Sequence, residues 1–174
     1  TAQLDLQAIC ATLHRQLARL LPVDAFGVAL LEPDGRQLRF PYYFEDRLVQ
    51  GDTVQLDDPL SLSARAFRED RELDVLDEQS SEAAPEVEGI EVGEPMRSLV
   101  FRPLTLNEER IGIVTMQSRR AQAYGPQELD IFRSLVAYAA IAIGNARAFA
   151  ALQQAQAQPV EHAKLASLGQ LVAG

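Results

Sequence analysis

The chain has 174 residues, 47% of them hydrophobic, and a formal net charge of −9. That size and composition suit one packed domain, or one domain with a helical extension, and exclude a disordered segment. The acidity argues against nucleic acid and anionic membranes as partners, and a single cysteine, Cys10, rules out an intramolecular disulfide and fits a reducing cytoplasm.

From the N-terminus, Asp5 can cap a helix running to about Leu21. Leu6, Ile9, Leu13, Leu17 and Leu20 fall at three- and four-residue intervals and make one apolar stripe. Pro22 ends it. The apolar run Ala25 to Leu31 reads as a buried strand, and Pro33-Asp34-Gly35 as a turn into a second strand, about Gln37 to Phe44. On regular alternation Leu38, Phe40, Tyr42 and Phe44 share one face of it. A polar connection with a turn at Gly51-Asp52 leads to a short helix, Leu60 to Glu69, carrying Leu62, Ala66 and Phe67. Glu72 to Leu76 suits a short strand. Gln79 to Pro95, with two prolines, two glycines and many carboxylates, reads as loop.

Charge is concentrated here. Between Glu69 and Glu94 there are eleven acidic residues and one basic, Arg71, so the rest of the chain is nearly neutral. The bland reading is a solvated loop; the sharper one is an acidic flap or cation-attracting patch. The carboxylates lack the spacing of a calcium-binding loop.

Ser98 to Leu106 and Ile111 to Ser118 read as two strong strands joined through Asn107-Glu-Glu-Arg110. Pro126 suits the first turn of a helix, and nothing breaks the pattern until Pro159, with Gly144 the weak point. The helix has two stripes. One is Leu129, Phe132, Val136, Ala139, Ile143, Ala146 and Ala150; the other is Ile131, Leu135, Tyr138, Ala142, Asn145, Phe149 and Leu152. Two stripes call for two partners. Thirty-odd helical residues span about 50 Å, so the helix should project beyond a domain roughly 40 Å across. No run approaches the roughly 18 uncharged residues of a membrane span, and Asp5 interrupts the start too early for a signal peptide.

Three segments carry a family resemblance: Ser98-Leu-Val-Phe-Arg-Pro-Leu104; Glu109-Arg-Ile-Gly-Ile-Val114; and Tyr124-Gly-Pro-Gln-Glu-Leu-Asp130 continuing into Ala139-Ala-Ile-Ala-Ile-Gly-Asn-Ala146. In this order they resemble a GAF domain over residues 1–152. The resemblance implies an α+β fold. A twisted antiparallel sheet would carry the N- and C-terminal helices on one face and a small-molecule pocket on the other. Residues 153–174 form a helical linker ending in Lys164-Leu-Ala-Ser-Leu-Gly-Gln-Leu-Val-Ala-Gly174. That run resembles the lead-in to the dimerisation and phosphotransfer helix of sensor histidine kinases, and it implies a phospho-accepting histidine beyond Gly174. His162 precedes the run and reads as a solvated linker residue.

The implied function is a sensory input domain of a two-component histidine kinase, cytoplasmic, with a response regulator as the parent's partner. The alternative is a dimerisation and relay module that binds nothing. A parallel homodimer is expected, with Leu129, Phe132, Val136, Ala139, Ile143, Ala146 and Ala150 as its seam. The first helix would join the bundle, and Ile143→Lys would dissociate the pair.

Catalysis finds no support in the residues. One cysteine on the first helix serves neither a bilin link nor a thiol-based methionine sulfoxide reductase. His14 and His162 are the only histidines, and neither suits a haem or zinc site. No cofactor, metal, nucleic-acid or direct membrane contact is expected. For a ligand, Arg102 stands where the family usually has an aliphatic residue. Either it points to a rim or pairs with an acidic-segment carboxylate, or it binds an anion in the pocket with Arg97 or Arg65. Tyr42, Tyr43 and Phe67 are candidates for an aromatic wall, and Thr115 and Gln117 for hydrogen bonds to the ligand.

Overall fold

A computed structural model describes residues 2–49, 51–76 and 95–173; most of the acidic run lies outside these residues. The first helix, α1, spans Ala2–Leu20, with Asp5 in its first turn, where a carboxylate is favoured by the helix dipole. Its buried stripe is Cys10, Leu13 and Leu17, continued by Leu21 just past the end. Leu20, expected on that stripe, is 61% exposed. Leu21 takes the inward position instead.

Among the described residues the sheet has seven strands: β1 Ala25–Leu31, β2 Gln37–Glu45, β3 Arg47–Val49, β4 Thr53–Gln55, β5 Leu73–Leu76, β6 Ser98–Leu106 and β7 Glu109–Ser118. They pair antiparallel in the order β3-β2-β1-β7-β6-β5, with β4 also paired to β2. The strands β3 and β4 fall in the segment read as a polar connection; three residues are too few to show a period. At the β1–β2 turn the Gly35 N–H donates to the Glu32 carbonyl, 2.9 Å, and the Asp34 carboxylate accepts from the Arg36 N–H, 2.9 Å. The β6–β7 turn is tighter than expected. Asn107 and Glu108 both take positive φ, 51° and 66°, which matches a two-residue hairpin.

Between β1 and β2 the register slips. Val28 faces Tyr42, but Leu30 faces Arg39, so β2 carries one extra residue. Such a bulge turns the side chains on either side of it to opposite faces. Hence Leu38 and Phe40 face one side with Tyr43, while Tyr42 and Phe44 face the other. The expectation that Leu38, Phe40, Tyr42 and Phe44 share one face fails at this bulge.

Helix α2, Leu62–Glu69, is capped by Ser61, whose Oγ accepts from the Ala64 N–H at 3.1 Å. It covers one face of the sheet, packing Leu62, Ala66 and Phe67 against Leu38, Phe40, Leu99, Phe101 and Ile113. The opposite face is covered by α1 and by α3, Pro126–Ala173. There Cys10, Leu13, Leu17, Phe132, Val136 and Ile143 pack on Phe26, Val28, Val100, Val114 and Met116. Each large aliphatic or aromatic side chain so buried contributes about 1.5–3 kcal/mol.

α3 is 48 residues long, about 72 Å at 1.5 Å per residue. Pro159, expected to break or kink it, does not interrupt the helix. Proline removes one backbone donor and crowds the preceding turn, which the preceding turns of Ala, Leu and Gln, all strong helix formers, tolerate. Ile143 is the last buried residue on α3 among those described. The part from Pro126 to Ala157 is long and apolar enough to cross a membrane by length and composition. In the fold its inward stripe is taken up by the chain's own core.

Two tethers lock the α3 start to the sheet. Ser98 Oγ donates to the Arg120 carbonyl, 2.8 Å, and accepts from the Ala123 N–H, 3.1 Å. The Tyr124 hydroxyl donates to the Pro22 carbonyl, 2.7 Å.

Candidate functional site

The α2-covered side of the sheet holds a small polar group within an otherwise apolar layer. Thr115 and Gln117 are side-by-side neighbours on β7, 1% and 2% exposed, and Gln117 Nε2 donates to Thr115 Oγ1 at 3.2 Å. Their cross-strand neighbours are Phe101 and Leu99 on β6 and Gly27 and Ala25 on β1. Tyr43 lies over Gly27. A Cβ at that glycine would meet Tyr43 Cδ2 at 2.6 Å, Phe40 Cε1 at 3.1 Å and Thr115 Cγ2 at 3.2 Å. The absence of a side chain at Gly27 is what lets the Tyr43 ring approach the strand. Tyr43 donates its hydroxyl to Glu45 at 3.2 Å, and burial, reinforced by that carboxylate, holds its phenol well above the usual range.

Of the sequence candidates, Tyr43, Thr115 and Gln117 therefore converge. Phe67 shares their apolar layer, with the Arg110 guanidinium 5.1 Å from its ring centroid. Arg110 Nη1 also donates to the Phe67 carbonyl and, at 3.2 Å, to that of Arg68. Those contacts finish the C-terminus of α2, so Phe67 and Arg110 serve to seat the helix. Arg65 lies on the α2 surface, paired with Glu69 at 3.0 Å. Arg97 is exposed, and its backbone N–H donates to the Ser118 carbonyl at 2.8 Å. Gly27, Phe40, Leu99 and Phe101 were missed as neighbours of the group. The Gly27 position, inside an apolar strand, was the signal that a ring approaches closely.

Two candidates lie on the other face. Tyr42 packs beneath α1, its hydroxyl 2.9 Å from His14 Nδ1, with His14 stacked on Phe26 at 5.1 Å. Arg102 alternates with Val100 and Leu104 toward the helix layer and meets Glu72 at 2.8 Å. Glu72 also accepts two hydrogen bonds from Arg133 of α3, at 2.7 and 3.0 Å. Arg102 thus pairs with a carboxylate of the acidic segment, the first of the two readings for it. This three-member ion cluster ties the lead-in to β5 and the strand β6 to α3.

Burial raises the Glu72 carboxyl, but the hydrogen bonds from Arg133 and Arg102 outweigh it and leave the group below the usual carboxylate range. Burial alone lowers His14. Both signs make the fold acid-labile. His14 contributes stability above its unfolded pKa of about 6.5 that fades as pH falls past it; Glu72 does the same below about 4.3. We expect Glu72→Gln to cost about 1–2 kcal/mol at pH 7, reduced by the partial exposure of both arginines, and to remove the lower step from a pH series of urea midpoints. An unchanged pH profile would place the acid lability elsewhere.

The side chains expected to form a dimer seam are instead taken up by the chain's own core. Leu129, Phe132, Val136, Ala139 and Ile143 are all buried in the core beneath α1 and α3, and Ala146 and Ala150 are half-buried. A residue that seats α3 on its own sheet cannot also form a seam with another molecule. The second stripe turns outward: Tyr138 is 72%, Phe149 59% and Leu152 56% exposed.

Cys10 is fully buried, and burial pushes its thiol up to about 12, which leaves it unreactive at neutral pH. Among the described residues no three His, Cys, Asp or Glu side chains gather as a metal site.

Comparison with known proteins agrees with this architecture. Among solved structures, the GAF domain of a two-component sensor histidine kinase from Bacillus halodurans superposes with a TM-score of 0.68 at 16% identity, covering 82% of this chain and 96% of that one. A type II free methionine-R-sulfoxide reductase from Thermoplasma acidophilum gives 0.63 at 18%, covering 83% and 93%. The GAF domain of an Acinetobacter phosphoenolpyruvate-protein phosphotransferase gives 0.64 at 15%, covering 83% and 93%. No curated protein matches the chain. At these identities the superpositions establish the fold. The sequence itself matches the GAF domain family model over residues 5–145, from the first turns of α1 through the last buried turn of α3, and the chain belongs to the GAF domain family of regulatory sensory domains.

Proposed function

We propose that this chain is the sensory input domain of a cytoplasmic two-component histidine kinase, which passes a change in the domain to the kinase through α3. One observation carries the reading. A single helix starts in the domain core, at Leu129 to Ile143, and continues to Ala173, exposed over 151–157 and 164–172, ending in the segment that resembles the kinase lead-in. A rigid helix rooted in a packed core transmits displacement or rotation of that core along its length.

The rod is proposed to pair with a second copy in parallel through Tyr138, Asn145, Phe149 and Leu152. A ligand, if bound, would sit at Tyr43, Thr115 and Gln117. A ligand shifts such a device only by its difference in affinity for the two states. The relay reading without a ligand has its own support: Tyr43, Phe40 and Thr115 already fill the space over Gly27.

The test is a fusion of residues 1–174, in helical phase, to the dimerisation and catalytic core of a histidine kinase. Autophosphorylation is expected, with Phe149→Glu abolishing it while the domain's melting temperature stays within a few degrees. Unaltered autophosphorylation in Phe149→Glu contradicts the relay. A metabolite that raises the melting temperature of the chain but not of Thr115→Val/Gln117→Leu supports the ligand site; the failure of all candidates favours the relay alone.

A further inference from the structure

α3 carries two sets of exposed apolar side chains, and they lie on different sides of the helix. The first is Tyr138, Ile141, Phe149 and Leu152; the second is Leu165, Leu168 and Val172, with Leu171 projecting between the two. Each of the eight is more than half exposed. Leu165 comes 27 residues after Tyr138 and 16 after Phe149, about 7.5 and about 4.4 turns of an α-helix. The second set therefore sits roughly half a turn away from the first.

It falls in phase with the stripe that seats α3 on its own sheet. Leu129, Phe132 and Val136 recur 36 residues later as Leu165, Leu168 and Val172, about ten whole turns on. Near the start of α3 that side is covered by the sheet and α1. Near its end the same side is apolar again, and no described residue there is buried.

The occupant that fits is a second copy of this chain. Leu165, Leu168 and Val172 have the three- and four-residue spacing of a two-stranded seam. No ionisable side chain lies between Leu165 and Gly174, nor between Ala148 and Gln158. Over these two stretches two copies thus meet without like-charge repulsion despite the net charge of −9. A parallel pair also brings identical side chains to the same height, as a closed two-fold contact requires.

We propose that the two sets are alternative seams for one partner helix: a straight parallel pair that closes Tyr138–Phe149–Leu152 turns Leu165–Leu168–Val172 away, and the reverse. The inference rests on the self-association proposed above. It adds that the two ends of the rod compete, so that roughly a half-turn of rotation between Leu152 and Leu165 separates the two pairings. The first part of the connection, Gln153 to Ala157, is only Gln and Ala, with no bulky side chain to fix its phase.

The test changes the phase and leaves the seams intact. Deleting Gln156 and Ala157 places Leu165 and Leu168 two heptads after Phe149 and Leu152, and inserting five alanines after Ala155 places them three heptads after. Deleting Gln153 to Gln156 keeps them out of phase. Sedimentation equilibrium of the 174-residue chain reads the outcome, with thermal melting to confirm an intact domain. Both in-phase variants are expected to tighten the dimer by about tenfold or more, and the four-residue deletion to leave it within about threefold of the parent. A dimer equally tight in all four chains overturns the competing-seam inference while leaving self-association standing. Monomers in all four overturn both, as does partition of monomers into phosphatidylcholine vesicles, which would give the apolar sets to lipid.

Discussion

Ile143→Lys is expected to unfold the domain rather than dissociate a dimer. Ile143 is fully buried among Phe132, Val136 and Ala139 and the residues beneath them. Truncating such a side chain alone costs about 2–5 kcal/mol, and placing an unpaired ammonium in the same space adds several more. A domain of this size is stable by about 5–15 kcal/mol, so the sum consumes most or all of it. Far-UV circular dichroism and a urea titration measure the loss. Tyr138→Lys, on the outward stripe, is the contrast: a change in stability within about 0.5 kcal/mol, with weakened association by light scattering. Should Ile143→Lys fold normally and run as a monomer, α3 would be seated on its other face.

Gly112→Val should be nearly as severe, for a different reason. Gly112 sits opposite Leu30, where the central strands β1 and β7 pair. A Cβ there would lie 2.0 Å from the Ala29 carbonyl oxygen and 3.1 Å from Leu30 Cα. These are backbone atoms, so no rotamer change relieves the clash; the two strands must separate. Even Gly112→Ala is expected to cost about 3 kcal/mol or more, with Val worse. A fall of the melting temperature by well over 10 °C is the expected reading. A variant that melts like the parent would mean that β1 and β7 pair in another register.

The sequence made much of this architecture legible, because most elements carry strong local signals. The spacing of Leu13 and Leu17, the apolar runs at Ala25 and Ile111, and the long unbroken pattern after Pro126 each match the observed element. Its failures have physical sources. One extra residue in β2 is invisible to an alternating pattern, and it put Leu38 and Phe40 on the face opposite Tyr42 and Phe44. Pro159 obeys its propensity only where the turn before it is weak, and here Ala155 to Gln158 make a strong one. The two stripes of α3 are equally apolar on paper; which one faces the sheet depends on the azimuth fixed by Tyr124 and Ser98 at the helix start.

The candidate site was less legible than the fold. Arg102 stood out because a charge within a strand demands a partner, and the partner was Glu72, on the helix side. Thr115 and Gln117 were identifiable because two polar residues share one face of an otherwise apolar strand. The role of Gly27 was not legible within its own strand: the Tyr43 ring that it accommodates comes from its register partner on β2. Contacts made between elements set these positions, and no periodicity within one element encodes them.

The central claim is that α3 is rooted in the core by one face and meets a second copy by the other. Cysteine scanning with disulfide trapping over Val136 to Leu152, in a Cys10→Ala background that removes the one native thiol, tests it most directly. Crosslinked dimers are predicted to peak at Tyr138, Asn145, Phe149 and Leu152 and to be absent at Val136, Ala139 and Ile143. Crosslinks that peak at Val136, Ala139 and Ile143, or that form nowhere along the helix, would contradict the account.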